Sequence, residues 1–251
     1  MADFHPLRPI HDGASPSWRA MDKNAEKRAK EAQSAEMPSM NHASMKDFEN
    51  VYKPSDDTYL LLDGIQADWT QSRAVYQANM RTILEIGCGS GAPIVHLAKL
   101  LQETVPIATD INPAALELAQ KTAVENGVKN LKGIQCDLAT ELLVDYRHGI
   151  DAIIFNPPYV PTPDDEVAGN GIEASWAGGE RGRRVIDRVI PQIAELLSVP
   201  HGVCYMITVD DNEPEEISKL FENFDLLMVP LVRRRAHNEY LSVQKITRKP
   251  N

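Results

Sequence analysis

A glycine-rich loop is the first of several segments whose residue types and spacing could do chemistry. The loop reads Glu85-Ile86-Gly87-Cys88-Gly89-Ser90-Gly91. Its spacing is G-x-G-x-G, not the G-x-G-x-x-G of dinucleotide-binding proteins, and such glycines let a backbone turn tightly and approach a ligand closely. Glu85 would repel a phosphate and attract a cationic amino group or a sulfonium. The loop therefore favours a nucleotide-like ligand that carries positive charge.

Two aspartates follow predicted strands further along the chain. Asp110 comes directly after the apolar run at 105–109, where a carboxylate can accept both hydroxyl groups of a ribose. The neighbouring Asn112 suits the role of a helix cap, which favours the ribose interpretation of Asp110. Asp137 and Leu138 follow the next predicted strand, and we expect them either beside an adenine ring or in a plain turn.

The segment Asn156-Pro157-Pro158-Tyr159 follows a very apolar run. Its two prolines restrict the backbone path. The side-chain carbonyl of Asn156 and the backbone carbonyl of Pro157 can accept hydrogen bonds from one planar NH2 group, while the ring of Tyr159 stacks on that group. This arrangement would orient a weakly nucleophilic nitrogen toward a methyl donor. Asn156, Pro157 and Tyr159 are the candidate catalytic residues, and with Pro158 they form the candidate substrate site.

Strand and helix patterns that could position these residues alternate from residue 46 onward. Five apolar runs predict strands at 82–87, 105–109, 131–136, 150–155 and 203–209, and an antiparallel pair is predicted at 226–231 and 240–246. Helices are predicted at 59–65, 92–101, 113–126, 185–197 and 213–221. The chain is thus expected to form an α/β fold with helices on both faces of a mostly parallel seven-stranded sheet, whose last strand is antiparallel.

Residues 1–45 differ in composition from the rest of the chain. They mix proline, serine, histidine, methionine and charged residues, and they predict a polar, flexible extension before a domain at 46–251, with at most a transient helix at 22–35. These 45 residues hold six basic and six acidic side chains, so the net charge of −10 lies in the domain. Such an acidic domain is poorly suited to bind a polyanion unaided.

The three cysteines, Cys88, Cys136 and Cys204, are far apart and match no metal or disulfide pattern, so no metal site is expected. The sequence has neither an apolar run of about 18 residues for a membrane span nor an apolar signal-peptide core. We expect a reducing compartment, the cytoplasm or also the nucleus, and no membrane partner. Two groups of arginines, at 181–184 and 233–235, predict either a phosphate site or a solvated surface.

The order of the four segments resembles class I methyltransferases of the HemK type, over about residues 49–247. Two further segments, 52–63 and 171–179 with Gly182-Arg183 after it, resemble the eukaryotic and archaeal branch of that family. The resemblance implies a Rossmann-like fold and S-adenosyl-L-methionine as cofactor. The residues that it assigns to the cofactor are Thr58, Glu85, Gly87, Gly89, Gly91, Asp110, Asp137, Leu138 and Asn156.

Within that assignment, Glu85 and Gly87 would lie near the methionine part, Asp110 at the ribose, and Asp137 with Leu138 at the adenine. Thr58 would close over the cofactor from the N-terminal segment. Members of this branch resemble release-factor glutamine methyltransferases, which modify the glutamine of a Gly-Gly-Gln loop in a translation termination factor. They also imply a heterodimer with a small zinc-binding activator subunit. The strand at 131–136, if it is a sheet edge, could receive that partner.

Three alternatives remain at this stage. The same loop could hold the amino group of a flipped adenine in a nucleic acid, although the charge of −10 disfavours it. It could hold a lysine, including a histone lysine, although a lysine amine is not planar and would not use Tyr159 for stacking. The chain could also be a binding partner that keeps the cofactor fold without activity. The long loop at 160–182 is predicted to be a substrate lid.

Overall fold

The computed structural model describes residues 17–167, 172–236 and 239–250. Its helices are α1 Trp18–Glu31, α2 Asp56–Asn79, α3 Ala92–Leu101, α4 Pro113–Glu125, α5 Asp164–Val167, α6 Arg184–Leu196 and α7 Pro214–Glu222. Its strands are β1 Thr82–Ile86, β2 Val105–Asp110, β3 Lys132–Gln135, β4 Ala152–Phe155, β5 Val203–Val209, β6 Leu226–Ala236 and β7 Glu239–Arg248.

All seven strands form one sheet in the order β3-β2-β1-β4-β5-β7-β6. The strands β1 to β5 are parallel, and β7 is antiparallel to both of its neighbours. The predicted α/β fold, with a mostly parallel sheet and an antiparallel last strand, is confirmed. Strand β3 lies at one edge of the sheet, a position that the sequence had left open.

Apolar residues of the central strands point alternately to the two faces of the sheet. In β4, Ile154 belongs to the core under helices α2, α3 and α4, while Ile153 and Phe155 belong to the core under α6 and α7. Strands that are covered on both faces must be apolar along their whole length. This explains why β1, β2, β4 and β5 read as mostly apolar runs in the sequence, with Glu85 and Asp110 near the ends of β1 and β2.

Helix α2 is much longer than the predicted segment at 59–65. Its second half contains many polar residues, and one of them, Asp68, is buried. The Asp68 carboxylate accepts hydrogen bonds from the hydroxyl groups of Tyr76 at 2.5 Å and Tyr205 at 2.7 Å, and from Lys245 at 2.7 Å. A buried carboxylate is stable when several groups donate hydrogen bonds to it. The second half of α2 is therefore held partly by polar contacts, which an apolar pattern in the sequence does not reveal.

Helix α1 lies against β6, whereas the sequence predicted at most a transient helix there with no face to bury. The guanidinium of Arg28 donates to the backbone carbonyls of Pro230 and Leu231, both at 2.6 Å, and Ala25 is fully buried. The hydrogen bonds of Arg28 leave no periodic apolar signal in the sequence, so hydrophobic periodicity does not detect them. The division of the chain at residue 45 stays a prediction, and residues 1–16 lie outside the described residues. Within the described part of the chain, no helix combines the length and the apolar character that a membrane span needs.

Candidate functional site

The structure brings most of the predicted site residues to the carboxyl ends of the parallel strands. Glu85 is the penultimate residue of β1, Asp110 ends β2, and Asn156 directly follows β4. Strand β1 lies between β2 and β4, so these three segments are neighbours in the sheet. Ligands of open α/β sheets bind at this edge.

The three glycines of the first loop have backbone conformations that other residues adopt with strain. Their φ angles are 61° at Gly87, 49° at Gly89 and 74° at Gly91. A Cβ atom at Gly91 would lie 2.7 Å from the Cβ of Ala119, so the close approach of α4 requires a glycine there. A Cβ atom at Gly89 would meet no atom within 4 Å. Gly91 is thus needed for packing, while Gly89 leaves open space beside the loop.

Two carboxylates hold this loop from within. Glu85, which is 2% exposed, accepts a hydrogen bond from the backbone N–H of Ile94 at 3.1 Å. Asp110 accepts from the N–H of Gly89 at 3.0 Å and from that of Asn112 at 2.9 Å. Burial raises the pKa of Glu85 well above its usual range and raises the pKa of Asp110 as well. A nearby positive charge or a hydrogen-bond donor would therefore stabilise the charged forms of both carboxylates.

Asp137 and Leu138 follow β3 as predicted, but Asp137 is engaged elsewhere. Its carboxylate forms an ion pair with Arg188 of α6 and is half exposed. Leu138 has a φ angle of 55° and packs against the core under α6. This geometry is a turn that is anchored to α6, and the adenine role of the pair stays a prediction.

The amide group of Asn156 has one satisfied end and one free end. Its Nδ2 donates to Oδ2 of Asp57 at 3.0 Å. Its Oδ1 is buried and has no hydrogen-bond partner among the described residues. Because a carboxylate can only accept hydrogen bonds, the nitrogen must be the end that faces Asp57. Asn156 is therefore left with an unused acceptor at the strand end, and an orphaned buried polar atom needs an explanation.

Asp57 is a residue of this site that the sequence reasoning missed. Its buried Oδ2 accepts not only from Asn156 but also from the hydroxyl groups of Tyr52 at 3.1 Å and Tyr159 at 3.3 Å. Its Oδ1 accepts from the backbone N–H of Thr58 at 2.5 Å and from the Thr58 hydroxyl at 3.2 Å. In the sequence Asp57 reads as one of several helix caps, and its partners lie up to 102 positions away.

Burial is the largest cause that raises the pKa of the Tyr159 and Tyr52 phenols, and the neighbouring Asp57 carboxylate raises both further. Both hydroxyl groups therefore stay protonated near neutral pH. A protonated phenol can donate to Asp57, in agreement with the observed contacts. Thr58 is buried in the first turn of α2 beside this cluster, while its predicted contact with a cofactor stays a prediction.

Two glycines and an asparagine support the backbone of the Asn156–Tyr159 segment from below. A Cβ atom at Gly182 would lie 1.8 Å from the backbone oxygen of Tyr159, and one at Gly178 would lie 2.7 Å from that of Pro158. The side chain of Asn212, after β5, donates to the backbone oxygen of Tyr159 at 2.8 Å. The sequence reasoning noted both glycines as part of a resemblance and missed Asn212, which has no local pattern.

The loop at 160–182, predicted to be a lid, is attached to this support at both ends. Val160 donates its N–H to the carbonyl of Trp176 at 2.9 Å and accepts from Gly178 at 2.8 Å. Residues 168–171 of the loop lie outside the described residues. A cleft of about 490 Å³ separates the loop from the segment before α2, and its lining residues are Phe48, Val51, Tyr52, Lys53, Pro54, Ser55, Ile172 and Trp176. Since Tyr52 contacts Asp57, this cleft adjoins the candidate site.

Two of the arginines that the sequence offered as a phosphate site are internal anchors. Arg183 is buried and pairs with Asp187 at 2.8 Å. Arg233 is buried as well and pairs with both oxygens of Asp210, at 2.5 and 2.8 Å. These two arginines are therefore occupied by partners within the chain, and they do not form an open basic surface.

The sheet order, the glycine loop and the acidic residues at the strand ends define a methyltransferase fold. A family model described as a methyltransferase domain matches residues 78–228. The human protein "Methyltransferase HEMK2" is 40% identical over 212 residues, which cover 84% of this chain and 96% of that protein. The Schizosaccharomyces pombe "eRF1 methyltransferase catalytic subunit mtq2" is 32% identical over 220 residues, which cover 84% of this chain and 95% of that protein.

A solved structure has the same fold. It is the E. cuniculi Mtq2-Trm112 complex, described as responsible for the methylation of the eRF1 translation termination factor. The match has a TM-score of 0.56 and 25% identity, and it covers 79% of this chain and 99% of that chain. This chain belongs to the HemK-type methyltransferase family and is an S-adenosylmethionine-dependent methyltransferase.

Proposed function

We propose that this chain transfers a methyl group from S-adenosylmethionine to the side-chain nitrogen of a glutamine in a translation release factor, in a Gly-Gly-Gln loop. One observation in the site supports a planar NH2 group as the acceptor of the methyl group: Asn156 keeps a buried acceptor oxygen that has no partner among the described residues. The choice of a glutamine over an adenine amino group is supported by the relatives. The S. pombe relative and the E. cuniculi complex are both described as acting on eRF1.

The residues around the glycine loop fit a cofactor with a cationic amino acid part and a ribose. Glu85 and Asp110 are buried carboxylates with raised pKa values, and a cation or hydroxyl donors would stabilise their charged forms. The open space beside Gly89 leaves room for a ligand against the backbone. Glu85 and Gly87 would hold the methionine part, and Asp110 the ribose. The cofactor would supply a methyl group bound to a positively charged sulfur.

The contribution of the chain to the reaction is to hold the target nitrogen. An amide nitrogen is a poor nucleophile because its lone pair is delocalised. Asn156 Oδ1 and the carbonyl of Pro157 would accept its two N–H bonds, and Tyr159 would stack on the amide plane. Alignment of the reacting atoms within ~3–3.5 Å supplies much of the rate enhancement. The two acceptors also stabilise the positive charge that develops on the nitrogen, whose proton would then leave to water.

A small zinc-binding activator subunit is the proposed partner. The E. cuniculi relative forms a complex with Trm112, and strand β3 of this chain lies at the edge of the sheet with most of its residues exposed. An unpaired strand edge recruits a partner strand readily. We expect the activator to raise activity and solubility of the chain. A fully active monomer without it would contradict this part of the proposal. A release-factor substrate favours a cytoplasmic site of action.

The proposed reaction is tested by methyl transfer from labelled cofactor to three acceptors. These are a purified release factor, its variant with Gln→Ala in the Gly-Gly-Gln loop, and single-stranded DNA, each with and without the activator. The proposal expects label on the wild-type factor alone. Label on DNA would favour an adenine substrate, and equal label on the Gln→Ala variant would favour another residue such as lysine.

A further inference from the structure

The carboxylate of Asp57 contacts the amide nitrogen of Asn156, at the end of the side chain opposite to the free oxygen. From there it can determine how the Asn156 amide is oriented. We propose that Asp57 is a positioning residue that fixes the amide of Asn156 with its oxygen toward the substrate. The proposal rests on the proposed function, since it assumes that the substrate presents an NH2 group to Asn156. It assigns to Asp57 a role beyond the first turn of a helix.

The two ends of an asparagine amide have almost the same shape but opposite hydrogen-bonding properties. One end accepts and the other donates, so a rotation by half a turn inverts what the side chain offers. At Asn156 the donor end contacts Asp57 Oδ2 at 3.0 Å, and a carboxylate oxygen cannot donate in return. The inverted amide would place two acceptor oxygens together in a buried site, which is strongly disfavoured.

Asp57 itself is held rigidly enough to act as a reference point. One oxygen is bound by the N–H and the hydroxyl of Thr58 in the first turn of α2. The other oxygen receives the hydroxyl groups of Tyr52 and Tyr159 in addition to Asn156. These contacts come from α2, from the segment before it, and from the segment after β4. The carboxylate therefore links Tyr52 and the start of α2 to the segment Asn156–Tyr159.

The orientation matters because the target nitrogen carries two N–H donors. An acceptor oxygen at Asn156 complements one of them, whereas an inverted amide would set a donor against a donor and exclude the substrate geometry. The same orientation leaves Oδ1 buried, with no hydrogen bond to any residue that the structure describes. A buried acceptor without a partner destabilises the free protein. We therefore expect the contact between Asp57 and Asn156, which keeps this acceptor free, to favour binding of the substrate.

The decisive variant is Asp57→Asn, which is almost isosteric. An asparagine at 57 has a single oxygen, and that oxygen would face the N–H of Thr58. Its NH2 group would then face Asn156 and favour the inverted amide. We expect kcat on the release factor to fall about 100-fold, as for a misaligned reacting group. The Kd for S-adenosylmethionine should stay within about threefold of wild type, because the carboxylates and backbone of the glycine loop are unchanged.

The matched control is Asp56→Asn, which removes the same charge from the same helix turn at an exposed position. It should keep kcat within about twofold. If Asp57→Asn does not fold, Asp57→Glu decides, because it keeps the charge but displaces the carboxylate by one methylene. That variant should lose at least about tenfold in kcat with cofactor binding retained.

Wild-type kcat in a folded Asp57→Asn or Asp57→Glu variant would overturn the inference. A loss of cofactor affinity that parallels the loss of kcat would overturn it too, because Asp57 would then act through the cofactor site. These outcomes are separate from a failure of the proposed function. If wild-type protein with its activator does not methylate the release factor, the proposed function fails, whatever the variants show.

Discussion

The two ends of the candidate site differ in how their polar groups are satisfied. At the glycine loop, Glu85 and Asp110 already accept hydrogen bonds from backbone N–H groups of the loop and the helix start. At the segment Asn156–Tyr159, Asn156 keeps an acceptor that has no partner in the described part of the chain, and a separate carboxylate, Asp57, holds its other end. The first end is organised by its own backbone, while the second depends on a residue 99 positions away.

This difference indicates which kind of ligand group each end would bind. The buried carboxylates at the glycine loop have raised pKa values, so a positive charge there would stabilise them. The free oxygen of Asn156 would bind a hydrogen-bond donor. Substitutions at the substrate loop should therefore affect turnover, and substitutions at the glycine loop should affect cofactor affinity. Three predictions test that separation, from the largest expected effect to the smallest.

The largest effect is expected for Asn156→Ala. It removes the free acceptor, and loss of one preorganised group at the reacting centre typically lowers kcat by about 10²–10³-fold. Cofactor affinity should stay within about threefold of wild type, because the contacts of the glycine loop remain. Single-turnover kinetics and calorimetric titration of cofactor measure the two quantities. Near-normal turnover in this variant would be incompatible with the proposed mechanism.

Glu85→Gln should weaken cofactor binding by about 10–100-fold, the usual value of one charge-assisted hydrogen bond. Its effect on stability has the opposite sign. A carboxyl group whose pKa is raised on folding costs stability as pH rises from its unfolded value of 4.5 through its folded value. At pH 7 the cofactor-free variant should therefore have a higher Tm than wild type. The difference should disappear below about pH 4.5. A lower Tm at pH 7 would contradict the assigned environment of Glu85.

Gly89→Ala should weaken cofactor binding by about tenfold, because its Cβ would enter the open space beside the loop. Gly127→Ala is the matched control. Both glycines have a positive φ, 49° and 72°, and both have no atom within 4 Å of an added Cβ. The two variants should lose similar stability, measured by thermal unfolding, but Gly127→Ala should bind cofactor normally. Equal cofactor affinity in both variants would show that the space beside Gly89 is not used.

The sequence predicted the fold well where apolar runs determine it. Helix α3 and strand β5 have the predicted bounds, and the antiparallel pair β6 and β7 was placed correctly. These elements are recognised from local periodicity and from caps such as Asn112, which accepts from the N–H of Ala114 at 3.0 Å. The segments of the site that follow β1, β2 and β4 could be found in the same way.

The remainder depends on polar contacts between distant residues, which leave no periodic signal. Helix α1 packs through Arg28, α2 is extended around the buried Asp68, and Asn212 supports the loop at Tyr159 from a distance of 53 positions. Asp57 belongs to the same class, since its sequence context is a helix start. Only the folded chain shows that its carboxylate faces the substrate loop.

The most direct test of the account is to locate the methyl group on the product. The release factor is incubated with wild-type enzyme, its activator and S-adenosylmethionine, and the digested product is analysed by fragment-ion mass spectrometry. The account predicts a single methyl group on the side-chain nitrogen of the glutamine in the Gly-Gly-Gln loop. It also predicts that Asn156→Ala methylates this residue at least about 100-fold more slowly. A methyl group on a lysine, or on this glutamine at an equal rate with Asn156→Ala, would contradict the account.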